Sequence, residues 1–176
     1  GKQSKEANAK LLCELLYMTD NSWQDAMESY LNTQRFNIIV EPDNYILAKK
    51  VFISLGDKVN GIGLIDTRKI KNVEYKIEKE SYLGDKIESE NIYAKAYARF
   101  VMKDVICCES SDDLEKFSKS VTKDRLRFQS FCLQRMAKRE HFIGVDAIEK
   151  QLKAAKKELV DIQSGLKKLE DAKKSF

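Results

Sequence analysis

From Ile148 onward the chain places apolar residues at Ile148, Leu152, Ala155, Leu159, Ile162, Leu166 and Leu169, alternating steps of four and three, with Lys and Glu filling most positions between them. That is the heptad seam of a coiled coil. One amphipathic seam is not stable alone in water and needs a second helix. Near the other end, AKLLCELLYM sets Leu11, Leu12, Leu15, Leu16 and Met18 as an apolar stripe at helical spacing. The economical arrangement pairs the two antiparallel: an N-terminal arm over residues 1–22, a C-terminal arm over 145–176, and a globular insert at their tip. One proline, seven glycines and a charged fraction of 34 % suit long solvated helices around a smaller core. The start at Gly1, and the stop at Phe176 inside a helical pattern, suggest a piece of something longer.

Composition excludes several classes. No apolar run approaches the roughly 20 residues that span a bilayer, and GKQSKEANAK is not a signal peptide, so no membrane is expected and the location should be cytoplasmic. A net charge of +4 does not by itself demand nucleic acid. The cysteines at 13, 107, 108 and 132 show no CxxC spacing and are expected to be reduced thiols.

The insert reads as α/β. Ser22 with Asp25 forms a capping-box pattern, WQDAMESYL a helix and FNIIV a buried strand. Pro42 suits a helical first turn, DNYILAKKVFISL continues to Gly56 as a C-cap, and GIGLID is a second strand. From Asn91 the order recurs: IYAKAYARFV as helix, DVICC as strand, a helix capped by Ser110 and Asp113 through LEKFSKSV, then RLRFQSF extended. Aligning the two runs pairs Ile38 with Val105, Ile39 with Ile106 and Val40 with Cys107. Two related half-domains are expected, over 23–90 and 91–144, with the polar stretch Lys69 to Glu90 as linker.

Two similar α/β halves at the tip of an antiparallel coiled coil resemble the hinge domain of SMC-type chromosome ATPases. WQDAMESYLNTQRFNIIVEP, YLGDKI, KDVICCE and HFIG look like the hinge of the SMC-like subunit of the bacterial Wadjet plasmid-defence complex, a relative of MukB. The resemblance implies an SMC-hinge-like fold that joins two copies of the subunit as a homodimer, works with other subunits, and can touch DNA on a nucleoid or plasmid. It implies an ATPase head at the far end of the coiled coil. The chain itself has no GxxxxGK[ST] phosphate loop, so this part is expected to be no enzyme and to need no cofactor.

Among single residues, Cys107 and Cys108 invite a redox or metal reading. In a strand their side chains point to opposite faces and cannot share one metal, so burial as small apolar groups is the expectation. His141, the only histidine, lacks a ligand set, and GIGLID lacks the third glycine of a dinucleotide loop. Gly61 and Gly63 fit close backbone approach instead. The expected dimer joins strand edges, with Gly61, Gly63, Leu64 and Ile65 of one copy against Leu126 and Phe128 of the other. Lys123, Arg125, Arg127, Arg135, Lys138 and Arg139 concentrate positive charge and are the candidate DNA contacts, an ordinary solvated face being the alternative. Two further readings stand beside the hinge: a DNA-binding insert without hinge dimerisation, and a small α/β enzyme, against which the missing phosphate loop argues.

Overall fold

The computed structural model describes residues 8–70 and 81–174, which divide into a globular unit ending at Gly144 and a helix from Val145. In the globular unit the stripe over Leu11–Met18 is not an arm. It forms strand β1 (Lys10–Leu11), the single-turn helix α1 (Leu12–Leu15) and strand β2 (Tyr17–Met18). Leu11 and Leu16, on either side of α1, are extended (ψ 147° and 150°), which stops the helix at both ends. Leu12, Cys13 and Leu16 are buried in the main core. The physical reason is remote pairing: β1 lies antiparallel to β3 (Ile38–Ile39) and β2 to β4 (Ile87–Glu88). Side-chain spacing cannot reveal such partners.

Helix α2 (Gln24–Leu31) follows a 3-10 turn over Asn21–Trp23. The cap belongs to that turn and comes from Asp20, not from Ser22: the Asp20 carboxylate accepts the Ser22 hydroxyl at 2.6 Å and its N–H at 3.0 Å, while α2 itself, with Trp23 at its N-cap, has no side-chain cap. These two bonds hold the Asp20 carboxyl below its ordinary range. Helix α3 (Tyr45–Leu55) is led in by Pro42–Asn44 and ends at Gly56, whose φ of +53° suits a residue without a Cβ. The strand expected at GIGLID is reduced to one parallel bridge, Leu64 beside Ile38.

The second half begins inside the expected linker. Residues 83–86 form a 3-10 turn, β4 follows, and Leu83 and Ile87 are fully buried; the linker residues 71–80 lie outside those described. Helix α4 (Ile92–Val101) is capped by Asn91, which accepts the N–H groups of Tyr93 and Ala94. Strand β5 (Ile106–Cys107) comes next. The helix expected through LEKFSKSV is a 3-10 helix that ends at Lys116, because Lys119–Val121 pairs with its neighbours as β6. Strands β7 (Leu126–Gln129) and β8 (Cys132–Arg135) complete a four-stranded sheet in the order β5-β6-β7-β8. β8 has no counterpart among the sequence expectations.

The two halves share a hydrogen-bond skeleton. Leu12 donates its N–H to Asn37 O at 2.9 Å, and Leu83 donates to Val105 O at 2.8 Å. Asn37 N–H to Gln34 O recurs as Val105 N–H to Met102 O. Leu11 faces Ile38 as Tyr82 faces Ile106, and Ile38 pairs in parallel with Leu64 as Ile106 does with Ser120. Ile38 therefore corresponds to Ile106, one residue away from the alignment read off the sequence. The repeat is real but longer than expected, since β1-α1-β2 is the counterpart of Tyr82 to Glu88. Between the halves, β2 pairs with β4, Tyr17 opposite Glu88. Leu12 and Ile39 from one half share a core with Leu83, Met102 and Val121 from the other.

By itself, the second unit is one 30-residue helix, α5 (Val145–Lys174), about 45 Å long at 1.5 Å per residue. Its heptad residues Leu152, Ile162, Leu166 and Leu169 are all more than half exposed, forming an apolar seam along the helix.

Candidate dimerisation surface

Each half-domain ends in a strand-like segment with one side open among the described residues. In the first half, Ile38 donates its N–H to Gly63 O at 2.8 Å and accepts the Ile65 N–H at 3.0 Å. This parallel register turns the N–H and C=O of Leu64 itself away from β3. Gly63 is closely approached within the chain: its N–H donates to the Asn37 side-chain oxygen at 2.8 Å, and an added Cβ would lie 3.0 Å from that oxygen. Gly61 has φ +77°. In the second half, β7 is not the edge. It is paired with β6 on one side and with β8 on the other, so β8 is the outer strand of this sheet, and all four of its residues are exposed. Leu126 and Phe128 turn inward and pack against Tyr82, Ile106, Cys108 and Leu114. Alternating side chains showed that RLRFQSF is a strand; they could not show how many neighbours it has.

Several exposed apolar residues lie on the β7-β8 hairpin and on α3, which packs on Leu64. Phe131, at the β7-β8 turn, is 98 % exposed, and Leu133 on β8 is 53 % exposed. Helix α3 buries only Ala48, against Val40, Ile38, Tyr45 and Leu64; Ile46, Leu47, Ile53 and Leu55 are exposed.

The six basic residues do not form one face. Leu126 lies opposite Arg135 and Arg127 opposite Gln134, so Arg127 and Arg135 project from opposite faces of the β7-β8 ribbon. Several are engaged within the chain: Arg125 donates to Met136 O at 2.8 Å, Arg127 to Gln134 at 2.6 Å, and Arg135 to Asp124 O at 2.7 Å. Lys123 meets Glu109 at 3.3 Å and lies 5.5 Å from the Trp23 ring. Lys138 and Arg139 are exposed in the segment that precedes α5 in sequence.

That segment is held by an arrangement the sequence reading missed. Glu28 and Arg35 are a buried ion pair, 3.3 Å apart. The Glu28 carboxylate also accepts the N–H groups of Phe142 (2.8 Å) and Ile143 (2.9 Å). Arg35 donates to Glu140 O and to Asn32 O, both at 2.7 Å, with its guanidinium about 5 Å from the Phe36 and Phe142 rings. Ser29 donates to Ala137 O, and Gly144 N–H to Cys13 O. His141 Nε2 sits 2.6 Å from the Asp25 carboxylate, within hydrogen-bond distance. No cluster of potential metal ligands occurs among the described residues. The one signal in the sequence was Glu28 on the same helical stripe as Met27 and Leu31, with Arg35 two turns on.

Cys107, the last residue of β5, and Cys108 after it point to opposite sides, as expected. Cys107 packs on the main core and Cys108 in the smaller cluster of the second half. Burial pushes the Cys107 thiol up to about 12 and raises Cys108 as well. Both therefore stay protonated and poorly nucleophilic at neutral pH. An open pocket of about 380 Å³ beside them carries the Lys116–Asp113 ion pair at its rim.

Two related α/β half-domains joined across β2 and β4 define the fold of an SMC hinge domain. No family model and no curated protein matches the chain, but solved structures do. The chain is similar to the hinge domain of the Pyrococcus furiosus SMC protein (19 % identity, TM-score 0.59, 82 % of this chain and 80 % of that one). It is similar to the same hinge with an extended coiled coil (21 %, TM-score 0.60, 97 % and 68 %). It is also similar to an asymmetric dimer of the Geobacillus stearothermophilus SMC hinge domain (15 %, TM-score 0.57, 88 % and 69 %). No helix among the described residues is long and apolar enough to cross a membrane.

Proposed function

We propose that the chain is the hinge module of an SMC-like ATPase, joining two copies of its subunit through strand edges. The observation that carries this is one outward-facing edge per half-domain, at Gly61–Ile65 and at β8, on an SMC-hinge fold. Pairing the Gly61–Ile65 segment of one copy with β8 of the other, twice, closes a ring with two-fold symmetry. β8 takes the place that the sequence reading gave to Leu126 and Phe128. The module works mechanically; ATP hydrolysis belongs to a head elsewhere in the full-length protein, which acts with further subunits in the cytoplasm. Light scattering across a concentration series tests this: a dimer at tens of micromolar is expected, and a monomer there would sink the reading.

The narrower Wadjet-type, MukB-related role rests on WQDAMESYLNTQRFNIIVEP, YLGDKI, KDVICCE and HFIG alone. It predicts that cells carrying the complete system lose introduced plasmids and retain them once the hinge is disrupted; loss unchanged by hinge disruption would count against it. DNA contact is the second activity in this reading, favoured by the exposure of Lys138 and Arg139 beside Lys123, Arg125, Arg127 and Arg135. Duplex binding should weaken steeply with salt, and Lys138→Ala with Arg139→Ala should lower the slope of log affinity against log salt by about 2. An unchanged slope removes those two residues from the contact.

A further inference from the structure

A helix with a broad apolar surface is normally buried on it. Helix α3, YILAKKVFISL, is apolar at every position except Lys49, Lys50 and Ser54, yet only Ala48 is fully buried. The second half-domain shows what covers the corresponding place. There the 3-10 helix Ser111–Lys116 connects β5 to its parallel neighbour β6, as α3 connects β3 to Leu64. The strand beyond β6, β7, carries Leu126 and Phe128 onto that helix, where they pack with Leu114 and Phe117. The first half-domain stops at Leu64. Among the described residues no strand lies beyond it, and α3 keeps Ile46, Leu47, Ile53 and Leu55 in solvent.

We infer that the exposed face of α3 is a docking surface for a second copy of this chain, filled by Leu133 and Phe131 of the β7-β8 hairpin. The inference rests on the edge-pairing dimer proposed above and adds to it: the partner's β8 supplies in trans the strand that the second half-domain supplies to itself in cis. Side chains fit this assignment. Leu133 lies directly opposite Phe128 across β7-β8 and therefore projects from the same face of the sheet, the face that meets the connecting helix. Phe131, at a tip where both Ser130 and Phe131 have positive φ, reaches beyond the strand with almost all of its surface free. Each interface is thus sheet on one side and helix on the other, and one ring contains two of them.

The experiment uses two variants of the whole chain, Leu47→Glu with Ile53→Glu on α3, and Leu133→Glu on β8. A third, Ile92→Glu with Phe100→Glu, alters exposed apolar residues of α4 outside the proposed surface. By sedimentation, the α3 and β8 variants each lose dimer affinity by about tenfold or more, as expected for central apolar contacts, and the α4 variant matches the unaltered chain. Mixing the α3 variant with the β8 variant restores a heterodimer, because that pair retains one intact interface. A variant that failed to fold could not give this rescue. If the unaltered chain is dimeric and the α3 variant dimerises as tightly, the α3 assignment fails while edge pairing stands. If the unaltered chain is monomeric, the dimer reading beneath it fails. Dimer loss in both variants without rescue overturns the trans pairing of α3 with the hairpin.

Discussion

The two half-domains are built on the same hydrogen bonds yet finish differently. The second extends its sheet through β7 and β8 and uses Leu126 and Phe128 to cover its short 3-10 helix. The first stops at one bridge and leaves a longer, apolar helix uncovered. A duplicated unit that is complete in one half and open in the other carries both the gap and the piece that fits it. The closed pairing proposed above uses that asymmetry and needs no separate interface. A second difference concerns charge. Counted back from β3 and β5, Glu28 in α2 and Ala96 in α4 hold corresponding positions, and both are buried. Among the described residues, only the first half pairs a buried carboxylate with a buried arginine.

The largest expected effect breaks that second difference. Glu28→Ala leaves Arg35 charged and buried and removes the acceptor for the Phe142 and Ile143 N–H groups. Loss of one partner of a buried pair costs about 3–5 kcal/mol. Chemical denaturation should show that loss, and hydrogen exchange should show the amides of Phe142 and Ile143 unprotected. Arg35→Ala should expose the same amides less, because Glu28 can still accept from them. If Glu28→Ala leaves both amides protected, the carboxylate is not what holds the segment before α5.

A somewhat smaller effect tests what the halves share. Leu12 and Leu83 occupy equivalent places in the repeat, both are fully buried, and both belong to one cluster. Leu12→Ala and Leu83→Ala should each cost about 3 kcal/mol. Because the core is common, both should shift a single unfolding transition. Two separated transitions, one per variant, would mean that the halves fold independently.

What the sequence made legible were elements with a local cause. Helix α4 runs over the residues its spacing marked, Gly56 ends α3, and β3 and β5 lie in the two apolar runs. What it hid depended on remote partners. Leu11–Met18 has helical spacing, but β3 and β4 pull Lys10–Leu11 and Tyr17–Met18 into strands. β8 is CLQR, exposed at every position, so no buried face marks it. Of the site, Gly61 to Ile65 could be singled out because glycine at close approach leaves a trace in sequence. The Glu28–Arg35 pair could not, since a charged residue on a helix reads by default as solvated.

The smallest expected effect concerns the paired thiols and separates packing from chemistry on the strand where the halves correspond most closely. Cys107 faces the core shared by both halves, and β3, its counterpart, puts only isoleucine side chains in the matching stretch. An aliphatic residue is therefore compatible with the repeat, and valine adds little volume. Cys107→Val should change stability by less than about 1.5 kcal/mol, measured by denaturant midpoint, and should leave the dimer intact. A chelator should alter neither quantity. On the other side Cys108 sits against Leu114, in the cluster of the 3-10 helix that β7 covers, so Cys108→Val tests the smaller of the two cores. It should cost more than Cys107→Val, because Cys108 is buried and Cys107 only partly so. The reverse order would place the constraint on the face toward the other half and not in the cis-completed cluster.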